Sequence, residues 1–276
     1  MDPSLPLRAF RDLVRGPDAS LDLARAALAV ARIEHPGLDE ARELGRLDEL
    51  ALRVGPARRA DPAAALGRLK RLLFDEEGFR GNADEYYDPR NSCLNDVLDR
   101  KLGIPITLSV LTMEVGRRVG LEIAGVGLPG HFIVSAAVGG RSVLLDPFHG
   151  GAELTPSTAA DVAARAVGRP VRIEESHWAP CSRRQIVVRM LRNLKTIYAR
   201  RSDWDRALGV IDRLLLIDGD TPMHLRDRGT VLVRAGRLWD GVAEWESYLN
   251  RYPHAQDAES FRQELRRVRQ ELGSRN

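Results

Sequence analysis

Apolar residues recur at helical spacing through the first 77 residues, give way to strand-like runs in mid-chain, and return to helical spacing towards the end. Leu21, Ala24, Leu28 and Ala31 mark one helix face, with Ser20 as its cap and Pro36 beyond its end. Leu38 to Val54 repeats the pattern and stops at Gly55-Pro56. Asp61-Pro62 supplies an N-cap and a first-turn proline for a third helix through Leu66, Leu69 and Leu73. None of these carries a chemical motif, so residues 1–77 read as a helical scaffold.

Between Gly78 and Gly151 the pattern is richer. Asn91-Ser92 offers a cap for a short helix holding Leu94, Val97 and Leu98, and Pro105 opens a longer one, ITLSVLTMEVGRRVG, that is apolar on most sides. Strands are expected at 122–126, 131–138 and 142–146, the last two joined at Gly139-Gly140, a two-residue turn signal. If Val138 pairs with Arg141, His131 falls opposite Phe148 and Asp146 opposite Ile133. His131 and Asp146 then share a face, roughly 7–8 Å apart at Cα. That is the orienting half of a nucleophile–His–Asp triad, in which a carboxylate fixes the imidazole tautomer. A loop one residue longer would put the pair on opposite faces. Residues 152–180 read as connection, with one short helix from about Ser157.

In the tail, Trp204-Asp205 and Trp239-Asp240 stand 35 residues apart, each opening an amphipathic helix. Gly229, Leu232, Gly241, Trp245 and Pro253 fall where a tetratricopeptide repeat wants small, apolar and terminating residues. Ile186 to Asp218 is a more degenerate copy, and Gln256 to Leu272 is polar enough for a capping helix.

Composition narrows the class. The 276 residues are 43% hydrophobic and 29% charged, which excludes a disordered chain. The most apolar window, GVGLPGHFIVSAAVGG, is too short to span a bilayer, so no membrane is expected. MDPSLPLRAFRD has no apolar run behind a basic region and does not read as a signal peptide. Cys93 and Cys181, far apart and without metal-ligand spacing, suit free thiols in the cytoplasm. The net charge is +3, but Cys181 to Arg201 holds seven Lys or Arg and no acid. No recognition motif accompanies that charge, so nucleic acid is not an expected partner, and a helix face pairing with acids elsewhere accounts for it.

Gly125 to Gly130 matches GxGxxG, yet a strand rather than a helix follows, so no dinucleotide site and no cofactor are expected. His131, Asp146 and His149 lack the spacing of a metal site. His177 has no evident partner. Cys93, just past a helix cap, reads either as a thiolate stabilised by the helix dipole or as a small buried apolar residue.

The run GFRGNADEYYDPRNSCLNDVLDRKLGIPITLSVLTMEVGRRVGLEIAGVGLPGHFIV, with LDPFHGG after it and ARIEHPGLDEARELGRLDELA before it, resembles the bacterial transglutaminase-like family with C-terminal tetratricopeptide repeats. These are the Sir-B type proteins, nominal regulators of gene expression. The resemblance implies an α+β, papain/transglutaminase-like core at 78–180, preceded by a helical segment at 1–77 and followed by all-α tetratricopeptide-like repeats at 181–276. Active transglutaminase-like enzymes carry Gly-x-Cys at the start of a buried helix, then a His before a strand and Asp-Pro after the next. Here Gly103-Ile104-Pro105 falls at Gly-x-Cys, while His131 and Asp146-Pro147 match the other two members. The resemblance therefore implies a degenerate triad with Pro105 in the nucleophile's place, and a protein-binding or regulatory role through the groove and repeats. The alternative is a cysteine-dependent amide hydrolase or acyltransferase using Cys93, His131 and Asp146, with His131 as general base.

Overall fold

Gly139 and Gly140 both adopt positive φ, 56° and 81°, as a type I′ hairpin turn requires. They do so in a computed structural model that describes residues 5–57, 61–219 and 221–274. The first four residues, part of the segment read for a signal peptide, lie outside the described residues. The turn pairs Val138 with Arg141 and Val134 with Leu145, the register that brings His131 and Asp146 onto one face.

In chain order the elements are α1 (Leu5–Val14), α2 (Leu23–Ala31), α3 (Glu40–Val54) and α4 (Pro62–Lys70), the last continued by a π-helical stretch, Arg71–Glu76. Strand β1 (Arg80–Gly81) precedes α5 (Leu94–Arg100), and β2 (Leu102–Gly103) leads into α6 (Pro105–Val119). Strands β3 (Ile123–Leu128), β4 (His131–Val138), β5 (Arg141–Asp146) and β6 (Ala152–Leu154) form an antiparallel meander, while β1 and β2 make a short parallel pair. Helices α7 (Pro156–Val167), α8 (Arg183–Arg200), α9 (Trp204–Ile217), α10 (Pro222–Arg234), α11 (Leu238–Arg251) and α12 (Ala258–Ser274) complete the chain. Two compact units result. Residues 16–190 make one, and the rest of α8 with α9 to α12 joins α1 in the other.

The first unit is organised around α6. Its sequence is apolar on nearly every side, so it is buried on nearly every side, against α2, α3 and α4 as well as β3 and β4. Each fully buried Leu or Val of the helix contributes about 1.5–3 kcal/mol of burial. Gly120 ends it in the left-handed conformation, and Pro105 opens it where a missing N–H costs nothing. The first turn of α6 is thereby set beneath the start of the sheet.

In the second unit α9 and α11 open 34 positions apart, at Trp204 and Leu238, the period of a tetratricopeptide repeat. Because the tryptophans are 35 apart, Trp239 sits one residue further into its helix and is turned by about 100°. Trp204 is accordingly half-buried and Trp239 is 66% exposed, so the offset marks the repeat without equal packing. The buried anchor is Trp245, whose indole donates to the Arg226 carbonyl at 3.2 Å and meets the Phe261 ring edge-on. Gly229 lets it in: a Cβ there would lie 2.4 Å from the indole.

Several local expectations change. Asp22, not Ser20, caps α2, because the Ser20 hydroxyl already donates to the Pro17 carbonyl while the Asp22 carboxylate reaches the Arg25 N–H. Asn91 and Ser92 lie in a 3-10 turn and Cys93 is itself the N-cap residue of α5. Helix α1, which has no counterpart among the expected helices, packs on α9, with Phe10 under the Arg213 guanidinium.

Gly229→Ala should destabilise the protein by about 2 kcal/mol through overpacking against Trp245. Gly45→Ala, in α3 with open space around the new methyl, should stabilise it by about 0.5–1 kcal/mol. Denaturant unfolding of both variants beside the parent checks the signs.

Candidate functional site

His131 begins β4 directly after the β3–β4 turn, and Asp146 ends β5. Pro147 forces the chain out of the strand into a 3-10 turn, 147–149, which Asp146 caps. One carboxylate oxygen, Oδ1, accepts the backbone N–H groups of Phe148 at 3.0 Å and His149 at 3.4 Å. The other, Oδ2, accepts His131 Nε2 at 2.9 Å and His149 Nδ1 at 2.7 Å. Asp146 is 0% exposed and His131 4%. Burial opposes ionisation of Asp146, but the bonds and charge of His131, then those of His149, hold its carboxyl below the usual carboxylate range. His131 is thus fixed through Nε2, which leaves Nδ1 as its other ring nitrogen. Its backbone is fixed too, since Arg189 on α8 donates to the His131 carbonyl at 2.6 Å and stacks over Phe132.

His131 and His149 border a cleft of about 570 Å³ that Tyr86, Tyr87, Phe148 and Arg165 also line. Pro105, the first residue of α6, lies in the same wall. The two tyrosines project from a turn latched by Asn82 and Asn91: the Asn82 carboxamide oxygen accepts the Glu85 N–H, and Asn91 Nδ2 donates to the Glu85 carbonyl. Tyr86 meets Phe148 edge-on, and Phe148 meets His131 edge-on in turn.

Cys93 does not line this cleft. It is 0% exposed, and its thiol points to the Pro89 carbonyl at 3.5 Å. Burial pushes the thiol well up, reinforced by the negative charge of Asp96, Glu34 and Asp88. Of the two readings of Cys93, this setting agrees with the small buried residue: the side chain makes no cap bond to α5 and faces acidic neighbours. The imidazole beside it is His35, bonded to Asp96 at 2.6 Å. Cys181 is half-buried on the other flank of β3, its N–H on the Gly125 carbonyl, and burial raises its thiol against the opposing effect of Arg189. His177 Nδ1 accepts the Glu174 N–H within its own turn.

Among the described residues, two sets of side chains bring three donor atoms within 4.8 Å of one another, His131–Asp146–His149 and His35–Cys93–Asp96. In both, the carboxylate is already bonded to imidazole, so a cation would have to displace those bonds. The Gly125–Gly130 glycines lie on β3 and its turn into β4, with no helix start behind them. The basic stretch of α8 is largely paired: Arg183 and Arg184 bond residues 16–21 including Asp18, Arg192 meets Asp218, and Lys195 meets Asp227. No sequence motif marks Tyr86, Tyr87 or Arg165 as part of a site, and His149 stands out only as a possible metal ligand. Their one legible signal was the Tyr-Tyr pair inside a turn.

A papain-like α+β core, with the buried helix presenting its first turn to a His–Asp pair on a hairpin, and a helical repeat array define a class. Residues 41–192 match the transglutaminase-like superfamily and residues 194–266 a tetratricopeptide repeat. The chain belongs to the transglutaminase-like superfamily, in a bacterial family that carries such repeats at its C-terminal end and includes the UPF0162 proteins. It is 35% identical over 274 residues to a UPF0162 protein of Xylella fastidiosa strain Temecula1, covering 96% of each chain. With the UPF0162 protein of Vibrio cholerae identity is 27% over 253 residues, 89% of this chain and 92% of that one. Similarity also reaches F-box only protein 21 of Mus musculus, 29% over 141 residues, or 51% of this chain and 21% of that protein. No solved structure matches.

The Asp146 network sets an acid limb. A carboxyl that titrates lower in the folded state contributes stability above its unfolded value, near pH 4, and that contribution is lost as pH falls through the folded value. Asp146→Ala should cost about 3–5 kcal/mol at pH 7, since it strands two imidazoles and two N–H groups. Asp146→Asn should cost less and flatten the fall in stability below pH 4, measured by denaturant unfolding against pH.

Proposed function

We propose that this protein acts as a protein-binding or regulatory module, with the cleft beside His131 and the repeat array as its recognition surfaces, and without cysteine-based acyl transfer. One observation carries the reading. Pro105 shares the cleft wall with His131, whereas Cys93 is sealed away beside His35 and Asp96. General-base catalysis requires the imidazole nitrogen within about 3 Å of the nucleophile, or one water away. A proline offers no atom for that role.

His131, held by Asp146 from behind, then serves as a rigid part of the cleft lining. Tetratricopeptide repeats generally mediate protein–protein interaction, which supports a protein or peptide partner. No helix among the described residues is long and apolar enough to cross a membrane. A cytoplasmic setting suits the two free thiols. The competing hydrolase reading, with Cys93 as nucleophile, His131 as base and Asp146 as its orienter, requires an accessible thiolate, and the burial of Cys93 counts against it.

An electrophilic thiol probe separates the two. Cys93 should label slowly at neutral pH, unchanged in His131→Ala, with Cys181→Ala reporting the second thiol and Cys93→Ala the background. Rapid Cys93 labelling that disappears in His131→Ala would establish an activated thiolate and the hydrolase reading.

A further inference from the structure

The cleft has one sign of charge. Among the described residues, Arg165, His131 and His149 are its ionisable basic groups, and no Asp or Glu lines it. Asp146 stands behind the imidazoles with both oxygens engaged. Arg165 projects from α7 and is exposed, and its guanidinium forms no hydrogen bond or ion pair with a described residue. Some arginines of the same unit are paired, Arg90 and Arg100 on Asp88 and Arg117 and Arg118 on Glu114, and what sets Arg165 apart from the other exposed ones is its place in the cleft lining. A free guanidinium at the mouth of a cleft is a fork of donors suited to a carboxylate.

The imidazoles add the complementary half. In a neutral imidazole, donation to Asp146 through one nitrogen puts the lone pair on the other, which is Nδ1 in His131 and Nε2 in His149. The cleft thus asks for a carboxylate at Arg165 and for N–H donors at the histidines. Tyr86 and Phe148 supply an aromatic wall for the stem between them. A peptide with a carboxylate has all three parts. Phosphate matches less well, because it brings few donors at neutral pH and finds a single permanent cation.

We propose that this cleft binds an acidic peptide segment, with Arg165 holding the carboxylate and the lone pairs of His131 and His149 accepting peptide N–H groups. The inference rests on the reading that the cleft binds rather than cleaves its ligand.

Imidazole ring resonances of the full-length protein, followed by NMR, test it. The probes are acetyl-Ala-Glu-Ala-amide, acetyl-Ala-Gln-Ala-amide, acetyl-Ala-Gln-Ala with a free terminus, and inorganic phosphate. At least one carboxylate peptide should shift the His131 and His149 signals saturably, and the two charged peptides tell a side-chain from a terminal carboxylate. The neutral peptide and phosphate should bind at least about tenfold more weakly. Arg165→Gln, an exposed change that leaves the fold intact by circular dichroism, should erase the preference, and Arg165→Lys should keep part of it. Equal binding of charged and neutral peptides, no shift with any peptide, phosphate binding as well as peptide, or an unchanged Arg165→Gln titration overturns the proposal. Release of ammonia from an amidated peptide, dependent on Cys93, would instead overturn the non-catalytic reading. The Arg165 comparison would then still decide carboxylate preference.

Discussion

Asp146 is a single buried carboxylate that accepts four hydrogen bonds, and each one fixes a different part of the site. The bond from His131 ties the start of β4 to the end of β5 and sets which imidazole nitrogen faces the cleft. The bond from His149 folds the next turn back over the pair, and the two backbone N–H groups hold that turn against the strand end. A buried charge is costly when unpaired, so the arrangement behaves as a unit: the sheet register, the Pro147 turn and the ring orientations stand or fall together. The hairpin at Gly139-Gly140 makes this possible by setting a register in which both side chains share a face and lie near one another.

What this fold does with its His–Asp pair depends on the helix beneath. Helix α6 is buried nearly all round, so its first turn has little freedom to move, and the residue at its first position is fixed against the cleft. That residue is Pro105, which suits a helix start and has no chemistry to offer. Cys93, the cysteine of this part of the chain, is absorbed into packing. His35 just beyond α2 bonds Asp96 on α5, and the thiol lies beside that pair in a setting that favours its neutral form. The same superfamily scaffold therefore retains an oriented imidazole while presenting it to a cleft lined by Arg165 and aromatic groups.

The elements with long, strongly periodic apolar faces were legible in the sequence: α3, α6, the central hairpin and the helices of the repeat. Both ends of α6 and the end of α3 follow from Pro105, Gly120 and Gly55, whose backbone limits act locally. The pieces that escaped are short or depend on distant partners. Strands β1, β2 and β6 have two or three residues each and carry no alternation to read. Helix α1 is defined by its packing on α9, some two hundred residues away. The His131–Asp146 contact was readable because one turn fixes it. The environment of Cys93 was not, because its imidazole comes from a loop 58 residues upstream and no local pattern links them. Arg165 escaped for the same reason: nothing around it on α7 distinguishes a residue facing a cleft from one facing water.

On the proposed reading, Pro105 occupies the place from which a nucleophile would face His131. Replacing it tests that claim directly, by measuring the thiol reactivity of Pro105→Cys against pH in a Cys93→Ala, Cys181→Ala background, with and without His131→Ala. A cysteine at the first turn of α6 gains the helix dipole and a neighbouring imidazole, so its thiol should react rapidly at neutral pH with an apparent pKa below the ordinary value of about 8.5. Removing His131 should return it towards ordinary behaviour. A thiol at position 105 that reacts like an unperturbed cysteine, with the same rate and pH profile whether or not His131 is present, would contradict the account.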